Sequence, residues 1–303
     1  MQDQKIKSIK KIEIDSVIYI DTDSCFFSIE PNVRKRFPNL DWTDSLNVSA
    51  CILSVTKDIQ NFTNKKMDYF AKQFLNLSTH KFYMKQELIA DSAFWTAKKR
   101  YALNVINKEG LPVNEMEVKG LDVIRTSFPK VFREFMTEIL KDILSNVDKI
   151  IIDDKITKIK SQLETYTISD LARPTGVKDI SKHYSGKDQI FNTNLKSVPV
   201  HVKAAIAHND LIRYNQLENN YALISDGEKI KWLYLKNNPY KLESMAFRDN
   251  GEDPIEVLEY ITKYINLDKV YESELVGKLE DFYRALQWGA LPTDINDNFS
   301  KFF

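Results

Sequence analysis

The residues that cross-link, punctuate or metallate small folds are scarce in this chain: 2 cysteines, 4 histidines, 8 glycines and 9 prolines among 303 residues. Cys25 and Cys51 form no CxxC spacing, which argues against a structural zinc site or a disulfide framework and fits a reducing compartment. So few glycines leave no phosphate-cradling loop, and neither GxGxxG nor GxxxxGK[ST] occurs. His80, His183, His201 and His208 show no ligand spacing, so structural roles are expected for them. No stretch approaches the ~18 uninterrupted apolar residues of a membrane span, and the opening MQDQKIKSIKKIEI has no apolar signal core. No membrane partner and a cytoplasmic setting are therefore expected. Charge of one sign is also missing: Lys+Arg and Asp+Glu balance at 43 each. That excludes a purely electrostatic nucleic-acid binder, while leaving room for a local basic surface. Internal repeats and low-complexity linkers are absent.

What is present is 43% hydrophobic residues, enough for the cores of two ordinary domains. Ser16–Ile29 reads as two short strands around a polar centre, Asp21-Thr22-Asp23-Ser24, which is a hairpin signal. Asp44 to about Leu77 reads as helix. Strands are expected over Lys81–Ala90 and over Phe94–Asn107, the latter stopping near Gly110–Pro112. Ser127-Phe128-Pro129 opens a helix carrying a wide apolar stripe of Val131, Phe135, Ile139 and Ile143 beside Phe132, Met136, Leu140 and Leu144. Further helices are expected over Asp154–Tyr166 and Val202–Tyr214, and after Asp253-Pro254. A small strand pair, Tyr221–Ser225 and Lys231–Leu235, is expected around Asp226-Gly227. The expected class is α+β, an antiparallel-sheet portion followed by a mostly helical domain, with a boundary near Thr126.

Asp21 and Asp23, two apart on expected extended backbone, lean towards one face. Carboxylates held close repel unless a cation sits between them, and hard oxygen ligands select Mg²⁺ or Mn²⁺. Two such ions serve in-line phosphoryl displacement. An isolated DTD is more often a solvated turn. Lys98-Lys99-Arg100-Tyr101 lies on the expected Phe94–Asn107 strand. Alternation there puts Lys99, Tyr101, Leu103 and Val105 on one face and Lys98, Arg100 and Ala102 on the other. A cation and a phenol side by side suit phosphate oxygens and minor-groove acceptors. Alone, such a run is more often a charged edge strand.

Together the two features resemble the family B DNA polymerases. Tyr19-Ile20-Asp21-Thr22-Asp23-Ser24 is similar to their motif C, YxDTDS, and Lys98–Tyr101 to the KKRY element of the phage-type members. Lys85-Gln86-Glu87-Leu88-Ile89-Ala90 precedes the basic run as an acidic element does in the family. Gly120-Leu121-Asp122, Arg125, Ser127 and Pro129 follow it as the GL[DE]…S…P run leading from palm to thumb. Leu275 and Leu279 resemble the end of the thumb more loosely. The resemblance points to replicative polymerases of tailed bacteriophages. It implies a palm portion over 1–126, a thumb over 127–293 and a tail over 294–303. It further implies Asp23 as ligand of two Mg²⁺ ions, Asp21 as a secondary acidic residue and Glu87 as acidic support. Lys98, Lys99, Arg100 and Tyr101 become primer–template contacts, with dNTP as second substrate and the cytoplasm of an infected bacterium as the setting.

The family's DxxSLYP and Kx₃NSxYG motifs are not found in this sequence. The expectation is therefore a split enzyme, with an upstream polypeptide completing the two-metal site. A non-catalytic DNA- and clamp-binding module, or a truncated remnant, are the rival expectations. Asn296, Phe299, Phe302 and Phe303 near the carboxy terminus resemble the clamp-binding peptide QxxhxxFF, with asparagine for glutamine. A sliding clamp is thus a further expected partner, against the alternative that these phenylalanines pack onto the thumb.

Overall fold

The computed structural model describes residues 16–183, 191, 195 and 197–292. Helices combine with small antiparallel sheets, giving the expected α+β class. The chain divides into two compact units, Met1–Ala93 with Ala102–Glu117, and Phe94–Tyr101 with Val118–Phe303.

In the first unit, β1 (Val17–Asp21) and β2 (Ser24–Phe27) form the expected hairpin, with Asp21 facing Ser24 across a two-residue turn. The helix Ser45–Gln73 starts where the Asp44 carboxylate accepts the Asn47 amide at 3.1 Å, a side-chain N-cap. Val48, Ile52 and Val55 recur at helical spacing and pack with Val33, Ile89 and Ile106 into one core. Beyond Ile59 the helix buries little. Phe62, Tyr69, Phe70 and Phe74 are all at least half exposed.

A strand over Lys81–Ala90 is not observed in full; β3 covers Leu88–Ala97. The preceding residues run beside the helix instead. Asn64 brackets Met84, accepting its amide at 2.7 Å and donating to its carbonyl at 2.9 Å, and Gln60 accepts the Gln86 amide. The expected continuous strand Phe94–Asn107 is also corrected. Its chain turns at Lys98-Lys99 between β3 and β4 (Arg100–Lys108), and β5 (Leu111–Lys119) follows, giving a sheet ordered β3-β4-β5. Period-2 burial fails along β4, the central strand, where Ala102, Leu103 and Val105 are all fully buried.

The second unit holds the helix Lys130–Leu144, whose Val131, Phe132, Met136, Ile139, Leu140 and Leu144 are buried as the stripe implies, although Phe135 is only half-buried. Helix Lys149–Gln162 follows, capped by Asp148. A meander of β6 (Arg173–Gly176), β7 (Lys229–Tyr234) and β8 (Ser244–Phe247) lies against the helix Val200–Tyr214. Val202, Ala205, Ile206, Ile230, Trp232 and Ala246 are among the residues of the core cluster between them. Lys231–Leu235 is therefore largely strand as expected, but Tyr221–Ser225 is not. Ile224 is held by the buried amide of Asn209, which donates to its carbonyl at 2.8 Å and accepts its N–H at 2.7 Å. The helices Ile255–Tyr264 and Gly277–Leu286 complete this unit.

Candidate active site and nucleic-acid grip

The acidic hairpin is tighter than alternation implies. Asp21 closes β1, whereas Asp23 sits in the turn itself, so the two carboxylates are not on one continuous extended face. Thr22 between them has φ +51. For a β-branched residue that is a strained conformation, of order 1–3 kcal/mol, which persists only where its surroundings over-determine it. Two hydrogen bonds brace the turn: Thr22 Oγ1 donates to Asp21 Oδ1 at 3.2 Å, and Ser24 Oγ donates to the Asp21 carbonyl at 3.1 Å. Asp21 is half-buried, and Asp23 is exposed. Thr22 as a strained residue was not legible in the sequence, because threonine at a turn reads as an ordinary polar residue.

Carboxylate oxygens on a rigid turn are the donors a hard divalent cation takes, so Asp21 and Asp23 fit as part of a metal site. They are not a complete one: among the described residues no group of three or more His, Cys, Asp or Glu side chains could hold a metal ion. Glu87 is exposed just before β3, its carbonyl accepting the Glu109 amide at 2.7 Å. It is not brought into a three-ligand group with the hairpin. The histidines take structural contacts: His80 Nε2 lies 3.0 Å from Asp68, and His208 is fully buried beside Asn209.

The basic run caps the β3–β4 hairpin, whose tip, Phe94–Tyr101, belongs to the second unit. Lys98, Lys99 and Arg100 are exposed, and Lys99 takes φ +63 at the bend. Thr96 Oγ1 reaches the Arg100 carbonyl at 3.5 Å across the turn. The Tyr101 and Trp95 rings lie 6.0 Å apart, so the phenol is backed by an indole. Three cations on a tight turn, flanked by an aromatic phenol, can meet phosphates without reading sequence. A shallow cleft beside this turn is lined by Thr96, Arg100, Gly120, Asp122, Lys278 and Asp281 among others. Burial lowers the Lys278 ammonium from its ordinary value, with Glu274 and Asp122 pulling the other way. Its Nζ donates to the Glu274 carbonyl at 2.6 Å. The tail residues Asn296, Phe299, Phe302 and Phe303 lie outside the described residues. Among the described residues, no helix is long and apolar enough to cross a membrane.

Two curated relatives are similar over most of the chain. A DNA-directed DNA polymerase of Escherichia phage RB69 is 24% identical over 285 residues, covering 89% of this chain and 30% of its own length. The DNA-directed DNA polymerase of Enterobacteria phage T4 is 23% identical over 277 residues, covering 86% of this chain and 29% of its own. The chain thus spans less than a third of the length of either relative. The model of DNA polymerase family B matches residues 42–284, and the chain belongs to that family.

Proposed function

We propose that this chain is the palm-and-thumb portion of a DNA-directed DNA polymerase, with palm over 1–126 and thumb over 127–293. It supplies the acidic hairpin and the DNA grip for nucleotidyl transfer, and a second polypeptide carrying the remaining motifs completes the site. The observation that carries this reading is the pairing, in one family B chain, of an exposed Asp23 on a braced DTDS hairpin with an exposed Lys98–Arg100 turn. The uncovered apolar side chains of the first unit support the need for a partner, since such patches mark interaction surfaces.

In this reading Asp23 ligates the catalytic Mg²⁺ ions, with Mn²⁺ as a substitute, and Asp21 assists; Glu87 is acidic support. The ions, when bound, neutralise charge on the phosphates and favour ionisation of the attacking hydroxyl. The chain's own contribution is positional. The Thr22 and Ser24 hydroxyls keep the acidic turn from splaying, and Lys98, Lys99, Arg100 and Tyr101 hold primer–template DNA independently of its sequence. The substrates are primer–template DNA and dNTP. A sliding clamp taking Asn296, Phe299, Phe302 and Phe303 is a further proposed partner. Removal of Phe299–Phe303 is then expected to abolish clamp-dependent processivity and leave clamp-independent extension intact.

The test is reconstitution. The chain alone extends no primer. Mixed with a polypeptide carrying DxxSLYP and Kx₃NSxYG motifs, it extends one in the presence of Mg²⁺. DNA and clamp binding without extension, in every such mixture, favours the non-catalytic module instead.

A further inference from the structure

Gly120 follows β5 directly and has φ +68. A Cβ placed on it would lie 2.1 Å from the Lys99 carbonyl oxygen, 3.2 Å from the Lys99 carbonyl carbon and 3.3 Å from Cγ of Arg100. The first two are backbone atoms and cannot swing aside as the end of a side chain can. The remaining positive-φ glycines among the described residues, Gly110, Gly227, Gly251 and Gly289, have nothing within 4 Å of the same position. At those sites glycine serves the bend alone. At Gly120 it also makes room for another stretch of main chain.

That stretch is the bend of the basic hairpin. Lys99 holds a left-handed conformation that costs a non-glycine residue of order 1 kcal/mol, so its surroundings must keep it there. The Thr96 hydroxyl at 3.5 Å is a weak brace. The bare Cα of Gly120, against both the Lys99 carbonyl and the Arg100 stem, is a hard one.

We propose that Gly120 is a positioning residue for the DNA grip: its missing side chain seats the Lys99 carbonyl, and this seat sets the directions of Lys99 and Arg100. The proposal rests on the reading of Lys98–Tyr101 as the DNA contact. A side chain at position 120 pushes the bend outward and swings both cations away from where they meet adjacent phosphates.

The experiment compares Gly120→Ala, Gly110→Ala and Lys99→Ala in the full chain, by fluorescence anisotropy on a primer–template duplex across a salt series. Gly110→Ala carries a positive-φ penalty without crowding and controls for backbone strain. Lys99→Ala is expected to weaken binding about tenfold, the scale of one charge-assisted contact, and to shallow the salt slope by about one unit. Gly120→Ala should weaken binding and shallow the slope at least as much, because it displaces Arg100 as well, and the double variant Gly120→Ala/Lys99→Ala should bind little worse than Gly120→Ala alone. Gly110→Ala should leave affinity and slope unchanged.

Wild-type affinity and slope in folded Gly120→Ala, beside a weakened Lys99→Ala, would overturn the positioning role alone. Full additivity in the double variant would overturn it too. An unaltered Lys99→Ala would sink the DNA-contact reading and this inference with it. Should Gly120→Ala fail to fold, ¹⁵N relaxation on the unmutated protein decides: an order parameter at Lys99 of about 0.85 supports the seat, and one below about 0.6 refutes it.

Discussion

The two compact units solve the burial problem differently. The second covers its β6-β7-β8 meander with the helix Val200–Tyr214, and Phe247, Met245, Ala246, Ile212 and Leu233 are all at most 2% exposed. The first, though smaller, leaves Ile20 at 61%, Phe62 at 63%, Phe74 at 69% and Tyr83 at 67%. Its small core of Val33, Val48, Ile52, Val55, Ile89 and Ile106 anchors only the first half of a long helix. Its acidic hairpin carries exposed Val17, Ile18 and Phe27. One unit is thus built to stand by burial of its own apolar surface. The other keeps apolar surface next to the residues proposed for catalysis.

That contrast breaks or sharpens by truncation. Phe247→Ala in the second unit removes a ring that is 1% exposed and should cost about 3–5 kcal/mol in urea unfolding. Phe74→Ala in the first unit should stay within about 0.5 kcal/mol, because its ring is already in water. Equal costs at the two positions would erase the distinction.

The second unit also contains an ion pair with one buried partner. Arg173 donates through Nη2 at 2.6 Å and Nε at 3.1 Å to the same oxygen of Glu274, a residue only 4% exposed. Glu274→Ala leaves Arg173 without that partner but still in reach of water, and a loss of about 1–2 kcal/mol is expected. Arg34–Glu30, exposed on both sides in the first unit, should by contrast be worth well under about 1 kcal/mol.

One carboxyl of the second unit has its pKa displaced by burial. Asp210, 1% exposed on the helix Val200–Tyr214, has its carboxyl pushed up to about 6 by burial, with the Phe191 amide hydrogen bond acting the other way. Its pKa is raised on folding, so between about pH 4 and pH 6 the folded chain keeps a proton that the unfolded chain has released. Its contribution to stability is therefore lost as pH rises through that window, by roughly 3 kcal/mol at the upper end. Wild type minus Asp210→Asn, measured by urea unfolding from pH 4 to 7, should show that fall and level off above pH 6. A flat difference would contradict it.

A small effect is expected on DNA. Tyr101→Phe should weaken duplex binding several-fold, less than the loss of a charged group, and similarly for every sequence tested. Sequence-dependent losses would mean base readout rather than grip.

Much of this was legible in the chain itself. Apolar runs flanking Asp21–Ser24 and the four-residue recurrence from Val131 to Ile143 are local signals, and both elements formed. The missed features depend on partners distant in sequence. Tyr221–Ser225 has strand-like composition, but Asn209 takes the hydrogen bonds of Ile224 that a neighbouring strand would have taken. Asn64 does the same for Met84. The bend at Lys98-Lys99 escaped because neither residue is a turn former, and Lys99 is held left-handed without being glycine. At the candidate site the residue types were readable from the motifs. The strained Thr22 and the crowded Gly120 were not, since both follow from backbone geometry.

The most direct measurement is Mg²⁺-dependent primer extension by this chain together with the second polypeptide proposed to complete it, comparing wild type with Asp23→Ala. Asp23 is exposed in a turn and packs into no core, so the substitution should leave thermal unfolding and DNA affinity near wild type. Extension is expected to vanish, by at least about a thousandfold in rate, if this carboxylate holds the catalytic ions. Extension at the wild-type rate in the Asp23→Ala complex would contradict the assignment of the hairpin as part of a polymerase active site.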